Sequence, residues 1–366
     1  IRVIRVKGAE KPSMLGYMSV WLKMFLTVLS LPKTALVVTT SDPPLCSVIG
    51  HMIQKMRRTK HMHWCQDLYP DLLPVLGVKL FPPFFSLLKH VSYSAMRKAD
   101  KVIVVGRCMA RRLSVEGFDP KSIMVIPNWP DYELCRKPSE AESHAYDYVA
   151  APEEKKENYV EGARSSGELF QTGPRFRVLY AGNIGLAHPL DTILDASEIL
   201  AKENPDIEIV FVGDGRRFDE LARQRSLRGL ENIRLIPYQP LSRLKQMMES
   251  GDVHLISFKE EAAGMIVPSK LYAALAVERP CVLVGPSQSE TAKVIQDFSA
   301  GTVVEQGNAR DLADVIKGYR ENGELWYEAK KGAAAAGKIF LPRESINAWI
   351  ERAWNVVQSN VKQEKR

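Results

Sequence analysis

A chain of 366 residues, 45% hydrophobic and 25% charged, has the composition of a soluble globular protein and the length for two domains with separate cores. Its five cysteines, Cys46, Cys65, Cys108, Cys135 and Cys281, are scattered without a CxxC pair, which fits a reducing compartment and yields no metal site. The net charge of +7 sits in front: up to Glu133 there are 19 Lys and Arg against nine Asp and Glu, a surplus of +10 that leaves −3 for the remainder and points to a polyanionic partner, nucleic acid or an anionic membrane face.

The opening IRVIRVK reads as a strand, so the chain is expected to start inside a domain. No signal peptide is visible. The most apolar early segment, Gly16 to Leu31, carries Lys23 at its middle and falls under the ~20 residues that span a bilayer. It predicts an amphipathic packing helix. Ala35 to Thr40 reads as a buried strand, followed by a helix from Leu45 to Arg58 that Ser41 or Asp42 is placed to cap. His61–Gln66, Lys101–Val105 and Ile123–Ile126 are further strands, with helices at Phe84–Lys98 and Arg107–Glu116. His61 and His63 share one strand face, but no third ligand lies near them, so no metal is predicted there. Short β-branched runs alternating with helices argue for a parallel sheet covered on both faces.

From Arg136 to Thr172 the pattern stops in a charged segment poor in large aliphatics, read as insertion and linker. The second half restarts the alternation. Strands are predicted at Arg177–Ala181, Ile207–Val212, Ile233–Ile236, Val253–Ser257, Cys281–Val284 and Thr302–Val304. Helices are predicted at Leu190–Lys202, Phe218–Arg225, Leu241–Glu249, Ser269–Val277, Glu290–Gln296 and Ala309–Arg320. Ala333–Ala336 is the one low-complexity tract. Glu344 to Val357, with Ile346, Trp349, Ile350 and Trp354, is a last amphipathic helix. The resulting plan is an α/β chain of two Rossmann-like doubly wound domains, 1–135 and 173–342, joined by 136–172. The helix in 343–366 is expected to pack back toward the first domain.

Three loops of the second half follow strand ends, where such sheets bind ligands. They are Gly182-Asn183-Ile184-Gly185, Val212-Gly213-Asp214-Gly215-Arg216-Arg217 and Gly264-Met265-Ile266-Val267-Pro268-Ser269-Lys270. Proline, serine and lysine at a helix start supply a pre-set φ, a hydroxyl and a cation, a combination suited to a diphosphate. Any one of these loops arises by chance; three at successive strand ends point to a nucleoside diphosphate.

The segments YAGNIGLAHPLDTILDA, FVGDGRR, LENIRLIPYQP, GDVHLISF, VPSKLYAALAVERPCVLVG and SETAKVI occur in the order seen in family 4 glycosyltransferases of the GT-B fold. SDPP, WCQDLYPD and VIPNWPD in the front half are similar to the same subgroup, which builds bacterial O-antigen and exopolysaccharide repeat units of the colanic acid type. The resemblance implies a retaining transferase that moves a sugar from a UDP- or GDP-sugar to a polyprenyl-diphosphate-linked saccharide. It also implies a cytoplasmic protein, peripheral on the inner face of the plasma membrane. Two features depart from the family: its first strand and glycine-rich loop have no counterpart before Ile1, and its paired glutamates are replaced by Met265 and Ala273. Glu260 and Glu261 lie just upstream of the first of these positions.

A sugar transferase must stabilise charge on a departing diphosphate. Lys270 and Ser269 are expected in that role, with the Gly182–Asn183 backbone, the Gly213 loop and Arg216. Tyr238 is placed to border the base or to pack. Glu261 and His188 are candidate contacts to the donor sugar. Asp67, facing the cleft in the family's arrangement, is placed to bind or orient the acceptor or to cap a helix or turn, and Asn128–Trp129 to form part of the hinge or cleft floor in a structural role. Neither a metal nor another cofactor is predicted, the nucleotide sugar being a substrate. The basic front half, with apolar Trp21, Phe25, Phe84 and Phe85, suits an anionic membrane surface, while nucleic acid fits poorly because no recognition module is present. Two alternatives stay open: a UDP-sugar epimerase of the same fold, and a catalytically silent nucleotide-sugar-binding scaffold.

Overall fold

The structure, a computed structural model, describes residues 3–8, 14–135 and 176–364, so the predicted insertion at 136–172 lies outside the described residues. It comprises two compact units, one formed by Ile1–Pro127, Gly264–Val267 and Ile346–Arg366, the other by Asn128–Ala263 and Pro268–Ser345.

In the first unit, α1 (Met14–Ser30), β1 (Leu36–Thr40), α2 (Cys46–Arg57), β2 (Lys60–Cys65), α3 (Leu72–Val75), α4 (Pro82–Arg97), β3 (Lys101–Val104), α5 (Arg107–Val115) and β4 (Ile123–Val125) follow in order. The four strands form one parallel sheet in sequence order. Alternation along β1 separates its two layers: Val37 faces Ile49 and Ile53 of α2 and Trp21, Met24, Phe25 and Val28 of α1, whereas Leu36 faces the opposite side. There the C-terminal helix lies on the sheet, with Trp349 edge-on to Trp64 at 5.1 Å and Val356 buried beside Met62 and Ile103.

Two expectations fail in this unit. Residues 3–8 form no strand, and Val3 is 74% exposed, because an extended segment becomes a strand only with a ladder partner, and it has none among the described residues. Nor do Ser41 and Asp42 cap α2. Its N-cap residue is Leu45, with no side-chain cap, and the Ser41 hydroxyl instead accepts the amides of Gln66 and Asp67 at 3.2 and 3.0 Å. The connection after β2 competes successfully for that hydroxyl.

The second unit runs α6 (Tyr132–Cys135), β5 (Phe176–Ala181), α7 (Asp191–Glu203), β6 (Ile207–Val212), α8 (Phe218–Leu227), β7 (Ile233–Ile236), α9 (Leu244–Glu249), β8 (Val253–Ser257) and α10 (Lys270–Ala276). It continues with β9 (Cys281–Val284), α11 (Glu290–Asp297), β10 (Gly301–Val304), α12 (Ala309–Glu321), α13 (Gly323–Ile339) and the start of α14 (Pro342–Glu364). All six strands are parallel, in the order β10-β9-β8-β5-β6-β7. Every residue of β6, β8 and β9 is buried, as a sheet covered on both faces requires. Val178, Tyr180, Ile209 and Phe211 meet α7, α8 and α12, while Leu179, Val210 and Val212 meet Met247 and Met248 of α9.

The order matters for function. The chain leaves β5 toward β6 and β7, then returns to place β8 on the other side of β5. The loops after β5 and β8 therefore diverge at a topological switch point, the crevice where doubly wound sheets bind ligands.

Candidate functional site

At that switch point the second unit brings its glycine loops together through close backbone approach. A Cβ at Gly213 (φ +148) would sit 2.2 Å from the Gly182 carbonyl oxygen, and one at Gly215 (φ +145) 2.4 Å from Asn183 Oδ1. Positive φ and this proximity exclude any side chain at either position. The Gly182 amide donates to Val212 O at 2.8 Å and that of Gly213 to Ile236 O at 2.9 Å. Gly182 thus contributes its conformation (φ +111) and leaves the Asn183 amide as the donor without an acceptor among the described residues.

Lys270 reaches into this turn from 87 residues away. Its ammonium donates to Asn183 O at 3.1 Å and stands 4.7 Å from the Tyr180 ring centroid. Its Cε lies 3.3 Å from where a Gly182 Cβ would stand, so glycine is also what lets the lysine in. No carboxylate pairs with it among the described residues, and burial lowers its pKa to about 8. A half-buried cation with one neutral acceptor is electrostatically under-compensated. Ser269 is exposed, and its hydroxyl caps nothing at the start of α10.

Beside the lysine, His188 Nδ1 hydrogen-bonds the Ser257 carbonyl at the end of β8, and its ring stands edge-on to Tyr180 at 6.2 Å. A carbonyl only accepts, so Nδ1 carries the proton and Nε2 the lone pair. Burial first, then the charge of Lys270, lowers the imidazole pKa to about 4. His188 is not at a helix start; α7 begins three residues later, at Asp191.

The remaining expected residues are distributed around or away from this cluster. Arg216 is exposed, whereas its neighbour Arg217 donates to His188 O at 2.9 Å and pairs with Glu220 at 2.8 Å. Tyr238 follows β7 and is 53% exposed. Glu261 shares a recess of about 310 Å³ with Glu260, Asp191, Thr192, Asp195, Gln306 and Gly307. The third glycine loop is divided: Gly264–Val267 belongs to the first unit, where Met265 O accepts the Leu68 amide at 2.8 Å, while Pro268, Ser269 and Lys270 belong to the second, and of these Lys270 reaches the cluster. Asp67 also lies in the first unit, half-buried after β2, with its carboxyl raised to about 6 by burial and by Asp42.

His61 and His63 both contact the Thr39 hydroxyl, at 2.8 and 2.9 Å, and no group of side chains suited to a metal ion occurs among the described residues. Sequence reasoning missed Tyr180 and Arg217. The tyrosine sits one residue before the end of β5 and reads as core; the i, i+3 spacing from Arg217 to Glu220 was the available sign that the second arginine, not the first, is anchored.

Two Rossmann-like parallel-sheet units, one with a cation and glycine turns at its switch point, define a chain of the GT-B glycosyltransferase fold class. Residues 166–335 match the family Glycosyl transferases group 1, and the chain carries a domain of that family. It is 27% identical over 207 residues to the putative colanic acid biosynthesis glycosyl transferase WcaI of Escherichia coli, covering 56% of this chain and 45% of that protein. It is 24% identical over 267 residues to the probable glycosyltransferase WbjE of Pseudomonas aeruginosa, covering 72% and 61%. The chain thus spans between about half and three fifths of the length of these relatives. The structure of Anabaena HepE in complex with UDP-glucose superimposes with a TM-score of 0.67 at 17% identity, over 94% of this chain and 84% of that one.

Proposed function

We propose that this chain is a retaining glycosyltransferase of cell-surface polysaccharide synthesis. It takes a sugar from a UDP- or GDP-sugar and places it on a polyprenyl-diphosphate-linked saccharide. The observation that carries the reading is Lys270, a half-buried ammonium with no carboxylate partner among the described residues, held 3.1 Å from Asn183 O between glycine turns that admit no side chain. Cleavage of the anomeric C–O bond leaves negative charge on the diphosphate, and a fixed cation is worth most where water is excluded. The Asn183 amide, the exposed Ser269 hydroxyl and Arg216 complete the diphosphate contacts, and Tyr238 borders the base. Asp67, with a carboxyl raised to about 6, orients the acceptor from the first unit. The name of WcaI supports polysaccharide synthesis, that of WbjE supports glycosyl transfer, and the UDP-glucose held by HepE supports a nucleotide-sugar donor.

The same reading places the protein on the inner face of the plasma membrane. On α1, Tyr17, Met18, Leu22 and Leu26 are each more than half exposed around Lys23, on the more basic part of the chain. Among the described residues no helix is long and apolar enough to cross a membrane.

The deciding experiment titrates UDP and GDP into the purified chain and into Lys270→Ala, then supplies UDP- and GDP-sugars with and without a polyprenyl-diphosphate-sugar. Loss of a charge-assisted contact, about 1.5–3 kcal/mol, corresponds to roughly 10- to 150-fold weaker nucleotide binding. Unchanged affinity in Lys270→Ala refutes its role. Turnover without acceptor favours the epimerase, and binding without any turnover favours the scaffold.

A further inference from the structure

We propose that His188 is a second donor to the diphosphate: it takes up a proton on Nε2 when a nucleoside diphosphate group settles beside Lys270, and releases it when that group departs. This inference rests on the function proposed above. The geometry leaves one ring nitrogen for the purpose, because Nδ1 is committed to Ser257 O and the ring is held edge-on to Tyr180. Nε2 has no hydrogen-bond partner among the described residues.

The charged surroundings explain why the imidazole is neutral and why an anion changes it. Lys270 approaches from α10. Arg217, just before α8, holds the His188 carbonyl, and its own charge is shared with Glu220 and with Asp191 at the start of α7. The half-buried Asp214 carboxylate accepts the amide of Gly215 in its own loop at 2.7 Å. Burial, Lys270 and Arg217 all disfavour the imidazolium, and only the Ser257 carbonyl favours it. A diphosphate adds two negative charges beside Lys270, which removes the repulsion and makes an N–H on Nε2 favourable. The proton comes from solvent on binding, so none is taken from the nucleotide, and His188 thereby meets the oxygen on which charge appears as the anomeric C–O bond breaks.

The experiment follows the His188 ring signals by NMR against pH, with and without saturating UDP-glucose or GDP-mannose, in which the diphosphate has no titrating proton near neutrality. His188→Asn assigns the signals, and its amide can still donate to Ser257 O. The free protein is expected to titrate near 4 and the complex about 2.5 pH units higher or more. Calorimetry in two buffers of different ionisation enthalpy is expected to show proton uptake near pH 6, absent in His188→Asn. Binding in wild type then weakens from about pH 6 to about pH 8 by several-fold more than in the variant. A His188 midpoint that stays near 4 in a formed complex overturns this inference alone. If no nucleotide sugar or nucleoside diphosphate binds, the proposed function fails and this inference falls with it.

Discussion

Gly213→Ala tests the closest backbone approach in the molecule's candidate site. The new Cβ would stand 2.2 Å from the carbonyl oxygen and 2.9 Å from the carbonyl carbon of Gly182, both backbone atoms that cannot rotate away. Relief needs the two loops to part by on the order of 1 Å. That movement strains the hydrogen bonds from Gly182 N to Val212 O and from Gly213 N to Ile236 O, at 2.8 and 2.9 Å, each worth about 1 kcal/mol net. Forcing alanine into a φ of +148° adds about 1–3 kcal/mol. The total of roughly 3–5 kcal/mol corresponds to a fall in melting temperature of roughly 6–15 °C for a unit of this size. Gly229→Ala is the matched control: its φ is +63, but nothing lies within 4 Å of the new Cβ. It is expected to lose only the left-handed penalty of about 1–2 kcal/mol. Scanning calorimetry of the three proteins measures both values, and nucleotide titration reports whether the Asn183 turn has moved. Equal melting temperatures for Gly213→Ala and Gly229→Ala would refute the argument that the two loops are locked backbone to backbone.

Acid is expected to destabilise the first unit early. Burial lowers His61 to about 4 and His63 to about 3, against about 6.5 in the unfolded chain, so the unfolded state binds more protons below that value. Stability is therefore full above about pH 6.5 and is lost as pH falls toward 4, by up to about 1.4 kcal/mol per pH unit for each histidine. Urea midpoints compared near pH 7 and near pH 5 check this, and a wild-type midpoint that does not fall contradicts it. On the membrane face, Leu22→Ser with Leu26→Ser is expected to reduce cosedimentation with vesicles rich in anionic lipid several-fold, leaving nucleotide affinity unchanged. Recovery of the wild type in the supernatant at low salt would contradict peripheral attachment.

Much of the fold is readable from residues alone, because the inner strands β6, β8 and β9 are apolar runs buried along their whole length. Ile207–Val212, Ile233–Ile236, Val253–Ser257 and Cys281–Val284 have in the structure the bounds that pattern predicts. The helix α13 was not readable as an element. Its packed face is Ala329, Ala333 and Ala336, and Gly332 and Gly337 lie so close to the backbones at Phe298 and Leu275 that a Cβ would stand 2.2 and 2.5 Å away. Small residues bring helices close through shape, and hydrophobic periodicity does not register shape.

The linear chain determined the glycine turns after β5 and β6 and the proline-serine-lysine start of α10, since these depend on local backbone freedom and on residue type. Which of them meet was decided by strand order. Placing β8 against β5 carries Ser257 to His188 and brings Lys270 onto Asn183, 87 residues away. The same packing half-buries the lysine, and that burial lowers the ammonium pKa to about 8. Desolvation is a property of the assembled surroundings and has no representation in residue spacing.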